Sequence, residues 1–140
     1  MNIINSSIAN QIKDIHITSS GNFYFLDGIV ISEINENVTY TWEEAQYVVE
    51  EIRKFYGPTK NIYYISNRVN NYSVKPSDWL KFYNDNQLNG YAVVTRSENS
   101  WFNALMEKLF LKIDINRFDN LYNAIDHAKN VNKTKVNLAC

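Results

Sequence analysis

The spacing of apolar residues changes repeatedly along this chain, and each change marks an element. From Phe23 to Ile34 they run almost unbroken on either side of Asp27-Gly28. That pattern predicts an antiparallel hairpin at roughly 22–34, because both turn residues tolerate the positive φ of tight two-residue loops. Asp14–Thr18 alternates around Ile15 and Ile17 and predicts a strand ahead of it, with Ser19-Ser20-Gly21-Asn22 as the intervening turn. Val38-Thr39-Tyr40 reads as a short further strand. The period then lengthens: Ala45, Val48, Val49, Ile52 and Phe55 recur at helical spacing and are expected to face the core. Thr41 with Glu44 three residues on is a capping-box start, and Gly57-Pro58 supplies the stop.

From Asn61 to Ala128 short apolar runs alternate with helical stretches. Asn61–Ile65 and Gly90–Val94 read as buried strands, and Ile113–Phe118 contains a third. Between them lie a helix carrying Trp79, Leu80, Phe82 and Tyr83, opened by Pro76, and a second over Trp101–Phe110 that Ser97 can cap. A last one, Leu121–Ala128, would be capped by Asp119. Alternation at this density predicts an α/β domain: one mixed sheet of about five strands with helices packed mainly on one face. The reading is of one domain over 1–140 with loose tails at 1–10 and 131–140. Trp101, Leu105 and Leu109, with Phe102, Met106 and Phe110, make a stripe too broad for a single buried seam. It implies either burial on two sides or a surface that meets a partner.

Composition narrows the chemistry. The 140 residues carry a formal net charge of −1, so there is no basic footprint for nucleic acid. No apolar run approaches the ~20 residues of a membrane helix, and Met1 to Ser7 has neither a basic nor a long apolar stretch of secretory type. A cytoplasmic protein with no membrane span is expected. The single cysteine, Cys140, has no intrachain partner. His16 and His127 lack neighbours at ligand spacing, so neither metal nor cofactor is expected. Four glycines in the whole chain leave little for a phosphate-cradling loop, and no nucleophile-elbow pattern occurs. An enzyme is the least supported class.

Open α/β sheets place their sites beyond the carboxyl ends of strands. Here those ends carry Ser66, Asn67 and Arg68 after one run, and Thr95, Arg96, Ser97 and Ser100 after the next. If the strands are neighbours, two arginines, several hydroxyls and a helix start converge, a setting for an anion. The plainer account makes Ser66 and Asn67 turn formers, Ser97 a cap and the arginines solvated. Asp78 at a helix start suits the dipole better than acid catalysis. Trp79 and Trp101, with Phe82, Tyr83, Phe102 and Phe110, are either core or the lining of a groove between two helices.

The order hairpin, helix, then strand–helix steps resembles the SpoIIAA-like, or STAS/SEC14-like, family of small α/β domains. The residues that carry the resemblance are Phe23–Ile34, Tyr63-Tyr64-Ile65-Ser66-Asn67-Arg68, Tyr91-Ala92-Val93-Val94, and Arg117-Phe118-Asp119-Asn120-Leu121 through Ala128. The string from Ser73 to Phe82 is similar to a subgroup of short bacterial members. The resemblance spans roughly 20–130 and implies a non-enzymatic regulatory or protein-binding module with a protein partner. The alternative is a binder of a small apolar or anionic ligand between the Trp79 and Trp101 helices; a homodimer is a further option. Antagonists of anti-sigma factors in that family use a phosphorylatable serine, usually in an Asp-Ser pair. The corresponding loop here, Ile65-Ser66-Asn67-Arg68, has no such pair.

Overall fold

The computed structural model describes residues 1–75, 78, 88–108 and 114–139. Strands β1 (Asp14–Ile17), β2 (Gly21–Leu26) and β3 (Ile29–Ile34) form an antiparallel meander. Helix α1 (Trp42–Tyr56) carries the chain from β3 to β5 (Ile62–Asn67), which pairs parallel to β3. β7 (Leu88–Val94) lies parallel to β5, and β8 (Ile115–Phe118) parallel to β7, with α2 (Glu98–Glu107) between them in sequence. Helix α3 (Leu121–Ala139) follows. The mixed sheet therefore has six strands in the order β1-β2-β3-β5-β7-β8, one more than the pattern suggested. Two-residue strands β4 (Thr39–Tyr40) and β6 (Ser73–Val74) pair separately. The result is a single α/β domain with three helices among the described residues. The expected helix around Trp79, Leu80, Phe82 and Tyr83 lies outside them, as do Pro76, Leu109, Phe110 and Cys140.

The hairpin is where the pattern put it, with Leu26 opposite Ile29 and Gly28 at φ 69°. Asp27 does not share the positive φ, so only the glycine needs left-handed freedom. Thr41 caps α1, its hydroxyl accepting from the Glu44 amide at 3.5 Å. Asn120, not Asp119, caps α3: its side-chain oxygen accepts from the Asn123 amide at 2.9 Å.

Among the described residues two of the three helices, α1 and α2, lie on one face of the sheet, and α3 with the N-terminal segment covers the other. One face buries Phe23, Phe25, Val30, Tyr64, Tyr91 and Val93 under α1 and α2. The other buries Tyr24, Leu26, Ile29, Ile31, Ile65 and Ala92 under α3 and the N-terminal segment. The strands are apolar at successive positions rather than alternate ones, and such runs require two covered faces. The N-terminal segment is correspondingly not loose. It makes two 3-10 turns, Ile3–Asn5 and Ser7–Gln11, that bury Ile3 and Ile8 against the second face. At the other end, α3 runs to Ala139 instead of stopping near Asn130. Phe55, expected inward, is half exposed, with its ring edge-on to Phe25.

The register between β5 and β7 shifts by one residue, Ile62 facing Leu88 and Tyr63 facing Gly90. Gly90 lies directly under the buried Tyr63 ring: a Cβ there would stand 2.3 Å from Tyr63 Cε2. Gly90→Ala is therefore expected to cost about 1–3 kcal/mol by overpacking. In a Tyr63→Leu background the same change should cost clearly less. Equal losses in both backgrounds, read by urea unfolding, would show that the ring is not what excludes the methyl.

Candidate functional site

β5 and β7 are neighbours, so the strand ends do lie together; the Arg68 amide donates to the Val94 carbonyl at 3.0 Å. Side chains at those ends then separate by strand alternation. Asn67 points to the α3 face, where its amide donates to Glu33 Oε2 at 2.8 Å and to the Met1 carbonyl at 2.9 Å. Glu33 Oε2 also accepts from the Ile3 amide at 2.8 Å. Asn67 thus anchors the N-terminal segment.

Ser66 and Arg68 turn to the opposite face and are buried. The Arg68 side chain is 0 % exposed and pairs with the equally buried Glu107 of α2, Nη2 to Oε2 at 2.5 Å. The same nitrogen donates to the Tyr91 hydroxyl at 2.9 Å, and Nε donates to Ser66 Oγ at 3.1 Å. Tyr91 in turn donates to Glu107 Oε1 at 3.1 Å, and Ser66 Oγ shares a hydrogen bond with the Tyr72 hydroxyl at 2.6 Å. The guanidinium also stacks over the Tyr72 ring, 4.7 Å from its centroid. Nearby, Tyr64 donates to Ser32 at 2.7 Å.

Burial by itself opposes a charge on Arg68, but the surrounding Tyr72, Tyr91 and Glu107 outweigh it and raise its pKa well above the ordinary value. Tyr91 is pushed up first by burial, then by the Glu107 carboxylate, with Arg68 pulling the other way. Tyr72 is raised by the same burial against the opposing pull of Arg68. The cluster holds one ion pair among neutral hydroxyls. Ser66 Oγ accepts a hydrogen bond from Arg68 Nε and shares another with the Tyr72 hydroxyl; neither neighbour is a base that could activate it. A phosphoryl group on Ser66 would need space that this packing does not leave.

Arg96 and Ser97 stay at the surface. Ser97 Oγ accepts from the Ser100 amide at 3.2 Å and caps α2, while Arg96 Nε reaches the Asp119 carbonyl at 3.4 Å. Ser100 turns inward and donates to Asn71 at 2.6 Å. The expected convergence of two arginines is therefore absent: Arg68 is sealed in the core and Arg96 is outside.

Helix α2 shows why. Its buried residues are Ser100, Ala104 and Glu107, spaced to share one face. Phe102 is 63 % exposed, with Leu105 and Met106 also exposed beside it. Trp101 sits on the flank, half buried, under the Arg117 guanidinium at 5.5 Å; Arg117 also pairs with Glu98 at 2.9 Å. The helix is inverted, with small and polar groups inward and large apolar groups outward. The sheet beneath presents polar tips, the Tyr91 hydroxyl and Arg68, so a carboxylate is the group that fits there. Glu107 was the residue the sequence pattern concealed; its one signal was a lone carboxylate within an apolar helix.

Asp78 also has a role other than expected. Its carboxylate accepts from the Trp42 amide at 2.7 Å, serving the N-terminus of α1 from 36 residues away. It borders an apolar cavity of about 40 Å³ lined by Phe23, Tyr40, Trp42, Tyr64, Tyr72 and Tyr91 among others. That volume admits a water-sized group and falls far below the ~300–1,000 Å³ of small-molecule pockets. Trp79 lies outside the described residues, so the groove expected between its helix and that of Trp101 does too.

His16 bonds Asp14 at 3.0 Å and Tyr47 at 3.3 Å, with its ring 4.8 Å from that of Phe25. Among the described residues no group of three or more His, Cys, Asp or Glu side chains converges as a metal site would require. No helix there is long and apolar enough to cross a membrane. Comparison with models of known protein families, with curated proteins and with solved structures finds no match to this chain.

Proposed function

We propose that the chain is a non-enzymatic, regulatory protein-binding module of STAS-like type, and that it docks a different protein through the outer face of α2. The observation that carries this reading is the inversion of that helix. Phe102, Leu105 and Met106 project outward while Ser100, Ala104 and Glu107 are buried. A contiguous apolar face on a surface helix, bordered by charges, is the ordinary form of a docking surface. Arg96 stands at the start of this helix, and its guanidinium donates to a neutral carbonyl. A partner with an apolar surface and an acidic side chain at its edge would complement both features. The aromatic cavity beside Asp78, about 40 Å³, leaves no room there for a small-molecule ligand.

The test is a photo-crosslinking residue at position 102 in the cell, with Thr134 on α3 as an exposed control. A protein captured at 102 and not at 134 is then purified and titrated against the intact chain. Phe102→Asp and Met106→Asp are expected to weaken that binding at least ~10-fold, about 1.4 kcal/mol each, without lowering the unfolding midpoint. Equal capture at both positions, or unchanged affinity in both variants, would remove the proposal. A dimer of this chain that Phe102→Asp dissociates would replace the separate partner with a second copy and also overturn it.

A further inference from the structure

Strand β1 stands at one end of the sheet: among the described residues it pairs with β2 alone, so its other edge has no neighbouring strand. The Thr18 amide donates to the Gly21 carbonyl at 2.9 Å, which fixes the parity of the strand. The backbone groups of Asp14 and His16 turn with Thr18 toward β2, and those of Ile15 and Ile17 turn outward. The Ile15 amide donates there to the adjacent Asp14 carboxylate at 3.0 Å.

Both flanks of this edge are apolar. Ile15 stands opposite Tyr24 on the α3 face and is 44 % exposed; Ile17 on the same face is 79 % exposed. On the α1 face His16 meets Asp14 and Tyr47, and the exposed rings of Tyr47 and Phe55 border the strand, Phe55 against Phe25. Sheets ordinarily guard an edge with charge, proline or a covering element. The opposite edge strand, β8, contains Arg117 and no exposed large apolar side chain. On β1 the exposed isoleucines occupy the positions whose backbone groups point outward.

We propose that β1 pairs antiparallel with β1 of a second copy of this chain, joining two six-stranded sheets into one. The outward backbone groups belong to residues on either side of His16. A two-fold axis at His16 therefore sets Ile15 opposite the partner's Ile17, and Ile17 opposite the partner's Ile15, with about four hydrogen bonds between the strands. On one face isoleucine packs against isoleucine across the seam. On the other, each Asp14 lies diagonal to the partner's His16, within side-chain reach, while the two Asp14 carboxylates stay at opposite corners. Asp14 then yields the Ile15 amide to the partner's Ile17 carbonyl and turns toward the partner's imidazole. A register that set Asp14 against the partner's Asp14 would oppose like charges. Complementarity of both faces about one axis favours a second copy over a strand of another protein. This edge is separate from the outer face of α2 and does not rest on the role proposed for that helix.

Sedimentation velocity of the intact chain up to ~1 mM, under reducing conditions so that Cys140 cannot link two chains, tests this. A concentration-dependent dimer is expected. In hydrogen exchange followed by NMR, the Ile15 and Ile17 amides should gain protection as the dimer forms, while that of His16, turned to β2, should not change. Ile17→Lys places a charge in the seam, and Ile17→Pro removes an outward amide. Each should weaken the dimer ~10-fold or more without lowering the unfolding midpoint, because the side chain is exposed and an edge tolerates proline. Phe102→Asp should leave the dimer intact. A chain that stays monomeric at the highest concentration, a dimer that survives both Ile17 variants, or one that Phe102→Asp dissociates would overturn the proposal. So would protection of the Ile15 and Ile17 amides only when a different protein is added.

Discussion

Glu107→Leu is expected to destabilise the fold by about 3–5 kcal/mol, a large share of the ~5–15 kcal/mol that typically holds a domain together. The Arg68 guanidinium would remain charged and fully buried, with its carboxylate gone and only the neutral Ser66 and Tyr91 hydroxyls and the Tyr72 ring beside it. Its charge is not readily relieved by deprotonation, because a guanidinium stays protonated in proteins. Arg68→Met alone should cost a comparable amount, by stranding Glu107. The double variant Arg68→Met/Glu107→Leu should recover much of the loss, since an apolar pair of similar volume carries no desolvation penalty. Urea unfolding of the four proteins closes the cycle. Single-variant losses below ~1 kcal/mol, or strict additivity in the double, would show that the pair does not act as a buried unit. The outward apolar face of α2 depends on this lock, because Glu107 fixes which side of the helix faces the sheet.

The second large effect is alkaline. Tyr64, Tyr72 and Tyr91 are buried, and burial is the first cause raising each above the ordinary tyrosine value of 10.0. In the unfolded chain they ionise near pH ~10. Above that pH the unfolded state has lost protons that the native state keeps, so stability falls as pH rises. Below it both states hold the protons and these groups add no slope. Three groups held neutral give a slope of about 4 kcal/mol per pH unit, enough to exhaust a typical domain's stability within about one to four units above pH ~10. Circular dichroism and tyrosinate absorbance should therefore change together in one cooperative step. Tyrosinate signal from these three residues appearing well before loss of structure would mean that the hydroxyl cluster is open to solvent.

Much of the architecture was legible in local spacing. The Asp27-Gly28 hairpin, the Thr41 start of α1 and the buried strands at Tyr63 and Tyr91 follow from turn chemistry and apolar runs that act over a few residues. The covered second face is also written in the sequence, in strands apolar at successive positions. What covers it could not be read locally: Ile3 and Ile8 reach the sheet because Glu33 and Asn67, distant in sequence, supply hydrogen bonds to the N-terminal segment. Of the candidate site, Ser97 kept its expected role as a cap. Ser66, Asn67, Arg68 and Ser100 proved to be internal because strand and helix alternation sends them inward, and residue type alone does not report direction.

The sequence by itself determined the α/β class, the hairpin and the positions of α1 and of strands β2, β3, β5 and β7, because these rest on periodicity, capping and turn preferences among near neighbours. Only the tertiary structure decided which side of α2 is buried, that Glu107 meets Arg68, and that Asp78 serves α1. The Asp78–Trp42 and Arg68–Glu107 contacts join groups 36 and 39 positions apart. A buried charge is tolerated only where a specific partner arrives, and the identity of that partner is a property of the assembled sheet, not of any local stretch of chain.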